Sequence, residues 1–165
     1  MSPVDEIAAV AGLLDKIAAA HKLVMQIPNY EEALCTVFAL NNQLMATDIF
    51  GMVMSGNDNE KNAMLSVVSA RLAIADAYAY VFLCEGWFVK YPKGTREEDI
   101  YVRPRDDDRR QECLTLYYES KAGITQFRSY TISRNPVGLS LDPPGEKTEL
   151  RWAGLLAGRT DELSH

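Results

Sequence analysis

AYAYVFLCEGWFVKY, residues 77–91, decides the fold, because it reads either as the end of a helix or as a core strand. Ahead of it, Ala63, Val67, Ala70, Ile74 and Ala77 keep helical spacing. Within it, Tyr80-Val81-Phe82-Leu83-Cys84 is aromatic and β-branched, and Gly86 would be costly inside a helix. The stretch therefore predicts a break near Tyr78 and a strand from about Tyr80 to Tyr91. Glu85 and Trp87, two apart, then share one side of that strand.

Downstream, Cys113–Ser120 (CLTLYYES) and Thr125–Ser133 (TQFRSYTIS) flank a short loop, Lys121 to Ile124, whose Gly123 suits a left-handed turn position. These predict a hairpin. Arg134 to Lys147, with Pro136, Gly138, Pro143, Pro144 and Gly145, reads as an irregular connection. Thr148–Leu156 reads as a last strand or short helix.

Upstream the grammar looks helical. Ser2-Pro3-Val4-Asp5 combines an N-cap, a proline at the first helical position and the acid of a capping box. Ile7, Val10, Leu14, Ile17, His21 and Val24 continue at spacings of three and four, predicting a helix to about Met25. After Pro28, a second cap at Asn29 with Glu32 precedes Leu34, Val37, Phe38, Leu44, Met45 and Met52, which predict a second helix ending near Ser55-Gly56. Asn57-Asp58-Asn59 caps a third. The expected fold is α+β: an N-terminal helical hairpin plus a third helix, packed on one face of a three- or four-stranded antiparallel sheet. One domain is expected over 1–165, with a helical part of about 1–78, a sheet part of about 79–157 and a frayed tail over 158–165.

Composition narrows the function classes. The chain is 47% apolar and 24% charged, as for an ordinary globular protein. No apolar run reaches the roughly 18 residues that span a bilayer, and Asp5 and Glu6 sit where a signal peptide would be basic. A cytoplasmic protein without a membrane partner is expected. Residues 1–86 carry ten acids against four bases, whereas 87–165 carry thirteen of each, so the net charge of -6 belongs to the first half. That disfavours nucleic acid as a partner. Cys35, Cys84 and Cys113 are odd in number and far apart, and read as reduced core residues with neither a disulfide framework nor a zinc site. No cofactor motif is present.

The residues that could carry chemistry cluster around the opening stretch. Thirteen charges fall in the twenty residues from Lys93 to Glu112. Arg103, Arg105, Arg109 and Arg110 surround Asp106-Asp107-Asp108, so a self-neutralised loop competes with a phosphate clamp and with a metal site. Trp87 could pack over a ligand whose hydrogen bonds Glu85 accepts, or it could cover the core edge while Glu85 pairs with a neighbouring arginine. Glu85, Trp87, Arg103, Arg109, Tyr117 and Arg128 together form a candidate ligand site on the sheet face, with no catalytic and no metal-binding residue assigned. His21, in the apolar stripe of the first helix, reads as a packed, hydrogen-bonded histidine, a nucleophile beside it being invisible to sequence.

Two stretches carry resemblances. FLCEGWFV (82–89) with DDDRRQECLTLYYES (106–120) resembles an uncharacterised family of bacterial and phage proteins through Glu85, Trp87, Arg109, Glu112 and the YYES strand. The likeness covers about 78–133 and departs at Asp106 to Arg110, where that family reads more like Pro-Asp-Arg. It implies sheet structure and no mechanism. LAIADAYAYV (72–81) resembles the last metal-binding helix of all-α nucleotide pyrophosphatases, implying a divalent-metal hydrolase using Glu31, Glu32 and Asp76, but Ala73 stands where that pattern needs a glutamate.

Three functions are therefore expected to compete. The first is a non-enzymatic interaction protein, such as a phage or mobile-element accessory protein acting on a host defence protein. It would be a homo-oligomer through its N-terminal helices, where Leu13, Leu23, Leu40, Met54 and Leu65 exceed one stripe. The second is a small-molecule or nucleotide-binding protein using the sheet face. The third is the metal hydrolase.

Overall fold

A computed structural model describes residues 2–28, 30, 34–53, 57–89, 91, 92, 94–96, 98, 100, 102, 106–143 and 154–156. The first helix forms as its caps dictate. Ser2 is the N-cap of α1 (Pro3–Met25), its hydroxyl accepting from the Asp5 amide, and Pro3 occupies the first turn where no amide hydrogen is needed. Val10, Leu14, Ala18 and Met25 are its buried stripe, joined by Glu6.

The predicted second helix does not exist. Residues 34–53 form an antiparallel hairpin, β1 (Leu34–Leu40) and β2 (Ala46–Val53), turned at Asn41, whose side-chain carbonyl accepts from the amides of Gln43 and Met45. The reason is that β1 carries apolar residues on both faces. Val37 and Ala39 lie buried on one side; on the other Leu40 is buried and Phe38 half-buried. A strand apolar on both sides shows no hydropathy alternation, so its run also fits a helical stripe.

α2 (Asp58–Ile74) follows, capped by the Asn57 side chain on the Glu60 amide. Its buried face is Leu65, Val68 and Leu72 rather than the predicted Val67 and Ile74, the latter 87% exposed. Leucines bury more apolar area than the alanines of the rejected stripe, which selects the rotation. Asp76, which the pyrophosphatase likeness assigns to a metal, follows the helix with φ 47°. The Asp76 amide donates to Ala73 and the Ala77 amide to Leu72, a Schellman closure whose Leu72 and Ala77 pack in the same core cluster.

The remaining strands are β3 (Ala79–Phe88), β4 (Gln111–Ser120), β5 (Thr125–Arg134) and β6 (Val137–Leu141). The predicted hairpin is present as β4–β5, with Gly123 at φ 81° in its turn. The expected irregular connection instead contains β6, paired with β5 after the two residues Asn135 and Pro136. All six strands form one antiparallel sheet in the order β2-β1-β3-β4-β5-β6. The expected three helices on a three- or four-stranded sheet are thus replaced, among the described residues, by two helices and six strands.

The helices also lie on opposite faces rather than one. Val81, Leu83, Leu114, Leu116 and Tyr118 share a core with α1, whereas Tyr80, Phe82 and Tyr117 share one with α2 and Leu155–Leu156. Of the apolar residues expected to form a helical interface, Leu40 and Leu65 are core, Leu13 packs against it and Leu23 is exposed; Met54 lies outside the described residues. Cys35 and Cys84, expected as separate thiols, are paired as a disulfide with Cα atoms 4.4 Å apart. The pairing Thr36↔Leu83 makes them the next opposed residues, which a separation of 49 in sequence conceals. Cys113 is a buried free thiol, as read from the sequence. Among the described residues no helix is long and apolar enough to cross a membrane.

The α2 assignment sets a clear stability contrast. Leu72→Ala is expected to lower the unfolding free energy by about 2–5 kcal/mol, and Ile74→Ala to change it by less than about 0.5 kcal/mol. Denaturant titration of both variants checks this, and the reverse order would mean the helix is rotated.

Candidate functional site

The α1 face of the sheet is only partly covered. The first half of α1 lies over β4 and β5, where Tyr118 donates to Glu6 at 2.8 Å, the Gln126 amide group donates to the Ile7 carbonyl, and Arg128 pairs with Asp15. The second half reaches β3, where His21 meets Glu85 at 3.0 Å. Toward β2 the face is open: Ile49, directly opposite Phe38, is 57% exposed.

Between the second half of α1 and strands β1 and β3 lies a half-open cavity of about 460 Å³. Its apolar wall is Ile17, Ala20, Val24, Phe38 and Leu83; Lys16, His21, Tyr30 and Thr36 supply the polar atoms. The volume is within the range of ordinary small-molecule sites, and a mostly apolar lining with a few convergent polar groups is their usual composition. On the helix side, Ala20 beside His21 presents only a methyl group to this space. The Cys35–Cys84 pair lies on the far side of the sheet, beneath the Thr36–Leu83 pair that contributes to the cavity floor.

Glu85 and His21 are the buried polar elements, their side chains 6% and 10% exposed. Burial pushes the Glu85 carboxyl up, but the bond to His21, the Tyr30 hydroxyl and the nearby charge of Arg134 more than offset it, holding the group below its ordinary value. Glu85 Oε1 contacts His21 Nε2, while Oε2 is buried with no hydrogen-bond partner among the described residues. A carboxylate fixing one imidazole nitrogen leaves the other oriented, which is how a histidine is made a directed hydrogen-bonding group. Tyr30 meets the imidazole edge-on, with ring centroids 6.1 Å apart.

The other residues singled out in the sequence do not gather here as one group. Trp87 shares the α1 face with Glu85 but is 38% exposed, with the Arg110 guanidinium 5.0 Å from its ring centre. Opposite it, Glu112 pairs with Arg134 at 2.6 Å. Arg109 binds Asp107 through two side-chain contacts and a backbone amide, holding that carboxyl at about 2, and lies over Tyr91. The arginines near 106–110 therefore engage their own loop. Arg128 is on the α1 face, bound to Asp15 and near the Tyr130 hydroxyl. Tyr117 is buried on the α2 face, beside Tyr80 and Glu119. Arg103 lies outside the described residues.

For the metal reading, Glu31 and Glu32 also lie outside the described residues, and residues 72–81 divide between the end of α2 and the start of β3. Asp76 is exposed, with Lys121 at 3.5 Å, while the nearby Arg71 pairs with Asp48. Among the described residues no three His, Cys, Asp or Glu side chains are grouped so as to hold a metal ion.

Sequence reasoning reached His21 and Glu85 separately and missed their meeting, 64 residues apart. It also missed Lys16, Tyr30, Thr36 and Phe38, since the last two sit on a strand read as helix.

Comparison with protein-family models, with curated proteins and with solved structures finds no match to this chain.

Because the folded Glu85 carboxyl lies below its unfolded value, its contribution is present in full above the ordinary glutamate range of about 4.3 and is lost as pH falls through the lowered value. The stability difference between wild type and Glu85→Gln should accordingly shrink on acidification below about pH 4.3. Urea titrations from pH 7 to pH 3 measure it; a difference that stays constant or widens to pH 3 would contradict the assigned direction.

Proposed function

We propose that the protein is a small-molecule-binding protein whose ligand has an apolar body and occupies the cavity between α1 and strands β1 and β3. The observation that carries this reading is the 460 Å³ apolar space with His21 in its wall, the imidazole fixed from behind by a buried carboxylate. A buried carboxylate–imidazole contact is a poor way to stabilise a helix against a sheet, since desolvation of the polar groups offsets much of the attraction. A packed apolar pair at 21 and 85 would hold α1 as well, so the polar pair is better accounted for by a group it must meet. The reading moves the site from the exposed loop arginines to the helix side of the sheet and keeps Glu85 from the candidates named in the sequence.

The neutral fluorescent probe N-phenyl-1-naphthylamine tests it without favouring any charge. The probe should bind the folded protein with one site per chain and raise its melting temperature as its concentration exceeds the dissociation constant. Ala20→Trp, which fills the cavity from an exposed helix position, should weaken binding at least tenfold, whereas Ala8→Trp, exposed near the start of α1, should leave it unchanged. Absence of binding, or equal binding by wild type and Ala20→Trp, would overturn the proposal.

A further inference from the structure

The hydrogen-bonding groups around the cavity divide into those already engaged and those left over, and the remainder specifies a ligand. Glu85 is held by His21, with Arg134 adding to the field on it, so its negative charge is compensated from within the protein. Asp15, beside Lys16 in sequence, is turned to Arg128 over β5, and Asp48 on β2 is turned to Arg71 on the opposite face of the sheet. Lys16 lines the cavity and has no ion-pair partner among the described residues, and neither the Thr36 hydroxyl nor His21 Nδ1 has a hydrogen-bond partner among them. Among the described residues, the uncompensated charge at the cavity is thus one ammonium on a flexible stem at an exposed position, accompanied by a hydroxyl and an imidazole nitrogen.

We infer that the ligand is a monoanionic amphiphile, a carboxylate on a medium-length hydrocarbon chain, with its chain against Ile17, Val24, Phe38 and Leu83 and its carboxylate within reach of Lys16. This rests on the small-molecule reading of the cavity and adds the charge of the ligand to it. Lys16 lines the cavity from an exposed helix position, and a lysine there can keep its head in water and meet an anion without being buried. The half-open wall beside Ile49 lets the charged end of a chain remain solvated while the rest is covered. A cationic amphiphile would have only Glu85 Oε2 to meet, behind an imidazole that already holds the same carboxylate. A neutral alcohol would leave Lys16 unanswered.

Three ligands of one chain length separate these cases: octanoate, 1-octanol and octylammonium, each displacing bound N-phenyl-1-naphthylamine at pH 7.5 and low salt. Octanoate is expected to compete about tenfold better than octanol, the size of one charge-assisted hydrogen bond in a partly exposed site. Lys16→Met, which keeps the stem and removes the charge, should reduce octanoate to the level of octanol when both are compared within that variant. Raising salt should narrow the gap in wild type and have no effect in Lys16→Met. Equal competition by octanoate and octanol would overturn the inference, as would a preference for octylammonium or an octanoate preference that survives Lys16→Met. Failure of the neutral probe to bind at all would instead remove the underlying cavity reading, so the two failures are told apart.

Discussion

Two neighbouring residues on β4 hold the architecture together. Tyr118 points to the α1 side and donates to the buried Glu6 at 2.8 Å; Glu119 points to the α2 side and accepts from Tyr80 at 2.6 Å and from the Gly154 amide at 2.7 Å. A buried carboxylate is costly without hydrogen bonds, so each phenol makes its glutamate's burial tolerable and fixes which segment lies on that face. Burial pushes both phenols up, with the carboxylates adding to it, which keeps the O–H groups in place as donors. The alternation of a strand thus becomes a three-layer arrangement, with α1 tied to one face and residues 154–156 to the other, beside α2.

The cavity follows from this anchoring. α1 is fixed near its start, at Glu6, and is 23 residues long; its far half reaches β3, while toward β2 that face is open at Ile49. His21 and Glu85 then provide the second attachment at the point where the gap would otherwise widen. Positioning and binding are thereby joined: the pair that holds the second half of α1 to the sheet is also the polar wall of the space beneath it.

Much of this was legible locally and little of it globally. The Ser2-Pro3-Asp5 start, the Asn57 cap and the CLTLYYES–TQFRSYTIS hairpin are short-range signals, and each appears where the residues place it. The β1–β2 hairpin is hidden because CTVFAL carries apolar residues on both faces, which leaves no period to read. Asp76, which the pyrophosphatase likeness assigns to a metal, instead takes the left-handed conformation that ends α2. The loop arginines drew attention by density, yet charges that close together in sequence satisfy one another locally, as Asp107 and Arg109 do. His21 and Glu85 required the sheet order to be known before they could be paired.

The arrangement stands or falls on Tyr117 and Tyr118 facing different helices. Nuclear Overhauser spectra on protein with tyrosine rings and methyl groups selectively labelled report this directly. The account predicts contacts from the Tyr118 ring to α1 side chains such as Val10 and Leu14, and from the Tyr117 ring to the α2-side cluster of Tyr80 and Leu155, with no crossing between the sets. Contacts from both rings to the same helix would contradict the two-faced sheet and remove the cavity with it.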